Sequence, residues 1–103
     1  LRILQGSDHL VLALNDENGA VVGFVTAISD GILSAYIPLL EVLPDYHGRG
    51  IGQELMRRML AQLEHLYMVD LLCDPELQTY YQRFGMRSAA GMMLRHRSHQ
   101  SGR

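Results

Sequence analysis

Two hydrophobic periods divide the chain. His9 to Leu14 (HLVLAL) and Ala20 to Ile28 (AVVGFVTAI) are short apolar runs rich in Leu and β-branched residues, and both predict strands. Between them Asn15-Asp16-Glu17-Asn18-Gly19 is a turn cluster ending in Asn-Gly, so the two runs predict an antiparallel hairpin. Ser29-Asp30-Gly31 is the next turn, and Ile32 to Leu43 predicts a third strand. Pro38 interrupts that strand; proline gives no N–H to a ladder, which predicts an edge or a bulge. The period then changes. From Gly50 to His65, Ile51, Leu55, Met59 and Leu63 recur every four residues, Met56, Leu60 and Leu66 widen the stripe, and Glu54 stands one turn before Arg58, which predicts a helix. Leu66 to Cys73 (LYMVDLLC) predicts a strand buried on both faces. Asp74 and Pro75 suit the cap and first position of a second helix, with Leu77, Tyr80, Tyr81 and Phe84 as its apolar stripe and Gly85 as its stop. Met86 to Arg97 predicts one or two short strands around Gly91, residues 1–8 read as the tail of a helix, and Ser98 to Arg103 is a polar tail. The order β-β-β-α-β-α-β is that of an α+β domain with a mixed, mostly antiparallel sheet.

Composition narrows the classes. With 103 residues the chain is expected to form one domain, residues 1–103. Hydrophobic residues make up 48% and charged residues 19%, at a net charge of −2, which excludes general disorder. The same balance argues against nucleic acid as a partner, since neutralising phosphates needs a cationic surplus. No run approaches the roughly 18 apolar residues of a membrane span, so no membrane association is expected. Cys73 is the only cysteine, which rules out an internal disulfide and fits a cytoplasmic protein. The five His residues show no metal-ligand spacing, so no metal is expected. All nine basic side chains are Arg. The chain opens on Leu1 rather than Met, with neither a signal nor a transit peptide, and is expected to be a fragment with its true N-terminus upstream.

The chemistry concentrates in His47-Gly48-Arg49-Gly50-Ile51-Gly52, between a predicted strand and a predicted helix. Glycines let the backbone turn tightly and approach a ligand closely. The first turn of the helix has N–H groups without intrahelical partners at the positive end of the dipole, so the loop suits a pyrophosphate. Arg49 adds a charge-assisted contact. A P-loop is excluded because the chain has no Lys, and the spacing G-x-G-x-G is not the dinucleotide fingerprint G-x-G-x-x-G.

Val42-x-Pro44-x-Tyr46-His47-Gly48-Arg49-Gly50-Ile51-Gly52-x-x-Leu55 closely resembles the acetyl-CoA loop of the GNAT superfamily of acyl-CoA-dependent N-acyltransferases, whose core reads [Q/R]-x-x-G-x-[G/A]. Tyr81-Gln82-Arg83-Phe84-Gly85-Met86 resembles the family's Y-x-x-x-G-[F/M] signature, in the family's order and with a strand between. The resemblance covers about residues 9–97. It implies a GNAT-like fold lacking the first strand and first helices, the elements that build much of the acceptor pocket. It also implies acetyl-CoA as acyl donor and a small-molecule or peptide amine as acceptor, and it leaves a homodimer open. Leu40, Glu41, Val42 and Leu43 would offer main-chain groups to the pantetheine arm. Gly48, Arg49, Gly50, Ile51, Gly52 and Gln53 would hold the pyrophosphate. His47 stands where the family has Gln or Arg, and Asp74 where it often has a coenzyme-contacting Asn. Tyr81 matches the Tyr that protonates the departing thiolate.

Taken alone, Tyr81 also suits a core tyrosine on the stripe of Leu77 and Phe84, and Tyr80 suits packing. Cys73 reads as a small buried hydrophobe rather than a nucleophile. The general base is open: Tyr36 occupies the position where some relatives have Glu or His, Glu41 alternates to the face opposite Leu40 and Val42, and Asp70 lies in a predicted buried strand. The chain is therefore expected to be either an acetyl-CoA-dependent N-acetyltransferase working by direct attack in a ternary complex, or a catalytically silent acyl-CoA-binding or protein-interaction module.

Overall fold

A computed structural model describes residues 6–100, and the helix tail expected at the start of the chain falls largely on residues 1–5, outside that range. Three strands, β1 (His9–Leu14), β2 (Val21–Ser29) and β3 (Ser34–Val42), form an antiparallel meander. A fourth, β4 (Met68–Asp70), lies parallel to β3, so the sheet order is β1-β2-β3-β4 and the sheet is mixed, as the element order predicts. The crossover from β3 to β4 carries helix α1 (Ile51–Gln62), and helix α2 (Gln78–Gln82) follows β4.

Amphipathic spacing explains how α1 sits. Its stripe buries Leu55, Met56 and Met59, and Leu63 beyond its end, against Val25, Ala27, Ala35 and Ile37 of the sheet. Val11, Ala13, Leu40 and Val42 close the rim of this cluster, so the helix covers one face of β1–β3. Glu54 pairs with both Arg57 and Arg58 on the exposed side. The hairpin turn forms as expected, with the Asn15 N–H donating to the Ala20 carbonyl at 2.8 Å.

Pro38 marks the feature that shapes the site. Pairing of β2 with β3 runs Thr26 to Leu39 and then Ile28 to Tyr36, so β3 carries an extra residue around Pro38. The parallel ladder to β4 joins only Ser34–Tyr36 to Met68–Asp70 and stops just before that bulge. Beyond it β3 and the chain after β4 are unbridged.

Several expectations are corrected at the far edge. The strand expected over Leu66–Cys73 is confined to Met68–Asp70, and Met68 and Asp70 are exposed rather than buried. It has a ladder on one side only, because no strand forms over Met86–Arg97 among the described residues. Ser88-Ala89-Ala90-Gly91 lacks the β-branched and aromatic side chains that stabilise an edge strand. Cys73 is half-buried and outside any strand. Asp74 precedes a 3-10 turn (Pro75–Leu77), and its carboxylate makes no capping hydrogen bond.

Candidate active site

The loop between β3 and α1 begins with a 3-10 turn, Pro44–Tyr46, and then reverses direction through two glycines. Gly48 has φ 77° and Gly50 has φ 79°, left-handed conformations that cost an L-residue. Gly50 is the N-cap of α1, so no side chain is available to cap the helix, and none does. The N–H groups of the first turn, Ile51 to Gln53, precede the first main-chain bond, Glu54 to Gly50, and have no partner within the helix, which is the donor set an anion needs. Arg49 sits between the two glycines, exposed, with its guanidinium 4.9 Å from the centre of the Tyr46 ring. No carboxylate pairs with it among the described residues.

His47 is turned back towards the strand. Its Nε2 lies 2.7 Å from the Val42 carbonyl oxygen, so Nε2–H donates to it and fixes the tautomer of the neutral ring. Only Nδ1 remains for a ligand. The Val42 carbonyl, one of the main-chain groups expected to serve the pantetheine arm, is thus engaged by the loop itself. Leu40 and Val42 point towards α1, while Glu41 is exposed on the opposite face, as the alternation predicts.

Where β3 and the chain after β4 part, a cleft of about 440 Å³ opens. Leu39, Leu40 and Glu41 form one wall, Leu71 to Asp74 the other, and Tyr81 stands between them. Burial pushes the Tyr81 phenol above its ordinary value, and the neighbouring Tyr80 and Cys73 add to the effect, so it is a protonated hydroxyl at neutral pH. A second cavity of about 620 Å³ adjoins it along the open side of β4, beside Met86 to Gly91, and Tyr81 and Cys73 line both. Of the possible bases, Asp70 and Tyr36 are exposed; Glu41 and Asp74 put two carboxylates on the first cleft, with Arg95 beside them. No group of three or more His, Cys, Asp or Glu side chains able to hold a metal occurs among the described residues.

Two relationships were not visible in the sequence. The Tyr80 hydroxyl reaches the first turn of α1, where it lies beside Gly52. Asn15, in the β1–β2 hairpin, donates from Nδ2 to the Tyr46 hydroxyl at 2.8 Å. Tyr46 lies inside the loop motif, but nothing in the spacing signals Asn15.

Residues 6–87 match the profile of the acetyltransferase (GNAT) domain. The chain belongs to the GNAT acetyltransferase family. It is 30% identical over 73 residues to an uncharacterized N-acetyltransferase, ycf52, of Porphyra purpurea. That match covers 69% of this chain and 42% of the relative, so the chain spans less than half of that protein's length. A crystal structure of a candidate acetyltransferase from Deinococcus radiodurans R1 superposes with a TM-score of 0.92 at 49% identity, covering 97% of this chain and 69% of that one. A GNAT-family acetyltransferase, SP0256, of Streptococcus pneumoniae TIGR4 superposes with a TM-score of 0.80 at 30% identity, covering 93% and 76%. The GNAT-like α+β fold expected from the two motifs is therefore the fold of the chain. No helix among the described residues is long and apolar enough to cross a membrane.

Proposed function

We propose that this GNAT domain binds acetyl-CoA and directs its acetyl group to an amine acceptor by direct attack in a ternary complex. The observation that carries the reading is the parting of β3 from the chain after β4 at Pro38. An extended pantetheine arm needs main-chain partners on both sides of a slot. Leu39–Glu41 and Leu71–Asp74 supply such a slot, and the anion-binding loop follows directly from the end of β3. The main chain of Gly48 to Gln53 and the side chain of Arg49 hold the pyrophosphate. Orientation then does most of the work, since the thioester is already an activated acyl group. The neutral amine attacks the thioester carbonyl, the C–S bond breaks and Tyr81 gives its hydroxyl proton to the departing thiolate; the proton that the amide nitrogen sheds passes to solvent, from which Tyr81 is reprotonated. Glu41 and Asp74, with Arg95 beside them, line the same cleft, and the acceptor reacts there as its neutral amine.

Calorimetry with CoA, together with acetyl-CoA consumption over a panel of amines, tests the reading. CoA is expected to bind and to shield Cys73, on the cleft wall, from alkylation. Gly50→Val, which strains a left-handed position and crowds the cradle, is expected to weaken binding at least about tenfold while remaining folded. Binding without turnover with any amine would make the domain a silent acyl-CoA-binding module. Absence of binding at millimolar CoA would overturn both readings.

A further inference from the structure

We propose that Tyr46, anchored by Asn15, is a positioning residue that holds the Arg49 guanidinium ready for the phosphates of the acyl-CoA donor, so that the β1–β2 hairpin tunes donor affinity. The inference rests on the acyl-CoA reading above. It begins with the Asn15 side chain, which is used at both ends. Its Oδ1 accepts the Glu17 N–H at 2.8 Å, which closes the hairpin turn. That contact fixes which end of the amide is which, so Nδ2 must face the Tyr46 hydroxyl, to which it donates at 2.8 Å. The backbone of Asn15 is held as well, its N–H by the Ala20 carbonyl and its carbonyl by the Gly19 N–H. Asn15 is therefore a rigid post, and it pins the tip of a ring belonging to a loop 31 residues away.

That ring carries Arg49. The guanidinium carbon stands 4.9 Å from the ring centre, within the range of a cation–π contact. The backbone on either side is the reason a platform matters. Gly48 and Gly50 flank Arg49, and a glycine on each side constrains a long side chain very little. A free arginine would lose rotamer freedom on meeting an anion. Resting on Tyr46, it has lost part of that freedom beforehand, and its charge is not neutralised by any carboxylate among the described residues. The 3-10 turn Pro44–Tyr46 sets the ring itself, with the Tyr46 N–H donating to the Leu43 carbonyl at 2.9 Å.

The phosphates do not react, so their contacts bind ground and transition states equally. Losing the platform should raise KM for acetyl-CoA and leave kcat unchanged. Tyr46→Leu, which removes the ring, is expected to weaken CoA about two- to fivefold, the scale of an exposed cation–π contact. Tyr46→Phe keeps the ring but frees its tip and should fall between wild type and Tyr46→Leu. Asn15→Ala combined with Tyr46→Phe should bind no worse than Tyr46→Phe alone, because the one contact from Asn15 to the loop is already broken and the second, to the Glu17 N–H, lies within the hairpin. S-acetylpantetheine, which has no phosphates, supplies the readout a general loosening would not spare: its turnover should be the same in all four proteins. Inorganic pyrophosphate, titrated as a second probe, should follow the CoA ranking. Tyr46→Leu and Tyr46→Phe binding CoA as wild type does, or equal losses with S-acetylpantetheine, would overturn the positioning role alone. Failure of the wild-type protein to bind CoA would instead remove the acyl-CoA reading beneath it.

Discussion

The Tyr80 hydroxyl lies 3.2 Å from the point at which a Cβ on Gly52 would stand. Gly52 is thus small for a reason inside the protein: a side chain from the middle of α2 reaches the first turn of α1. Alanine at this helical position gains backbone rigidity, up to about 1 kcal/mol, but must push the hydroxyl aside. Gly52→Ala is expected to be close to neutral, and in a Tyr80→Phe background, where the hydroxyl is gone, stabilising by about 0.5–1 kcal/mol. Denaturant unfolding of the four proteins reads the coupling. Additive effects would show that Tyr80 gives way freely.

Thr26 offers a test of the sheet. It is fully buried in β2, and its Oγ1 has no hydrogen-bond partner among the described residues. A buried hydroxyl without a partner forfeits its hydration and receives nothing in return. Thr26→Val keeps the shape and the β-branch and removes the cost. The change is expected to raise stability by roughly 1–2 kcal/mol, seen as a higher denaturation midpoint at constant slope.

What the sequence made legible was local. The stripe of Leu55, Met59 and Leu63 placed α1 because a helix repeats its face within a few residues. Asn18-Gly19 placed the hairpin, and Pro38 marked the bulge, because turn and ladder chemistry act between neighbours. The two glycine-bearing motifs located the loop and Tyr81 for the same reason. The site itself required distant pairings. That Tyr80 meets Gly52, or that Asn15 meets Tyr46, depends on how the meander and α1 stack, and no periodicity encodes it. The misread far edge has a related cause. Leu66–Cys73 is apolar enough for a central strand, but a strand is central only if a partner forms on each side, and Met86–Arg97 supplies none.

Glu54 should leave a signature in acid. Hydrogen bonds from Arg57 and then Arg58 hold its carboxyl at about 2, below the ordinary 4.5. A depressed pKa means the folded state favours the charged form. Its contribution is therefore complete above the ordinary value and is lost as pH falls from there towards 2. The group is solvent-exposed, so the effect is small and screened by salt. The melting-temperature difference between wild type and Glu54→Gln is expected to be present at pH 6, to fade by about pH 2, and to shrink in high salt. A difference that stays constant across that range would assign it to helix packing instead.

Tyr81→Phe separates chemistry from architecture. The ring keeps its contacts with the core cluster while the hydroxyl in the cleft is removed. If that hydroxyl protonates the thiolate, kcat falls, by an amount at the lower end of the ~10²–10⁴-fold range typical of general acids, because a thiol is already a fair leaving group. The Michaelis constant for acetyl-CoA should hold, since the proton moves only as the C–S bond breaks. The raised pKa adds a second reading. Burial is its largest cause, so the folded state favours the neutral phenol; both its acid function and its share of stability are complete below the ordinary value of 10.0 and are lost as pH rises through the higher one. The alkaline fall in wild-type kcat should then begin above about pH 10 and be absent in Tyr81→Phe. Tyr80→Phe serves as the control, since its hydroxyl lies against Gly52 and outside the lining of the 440 Å³ cleft. A large loss of kcat in Tyr80→Phe with Tyr81→Phe intact would transfer the acid to Tyr80.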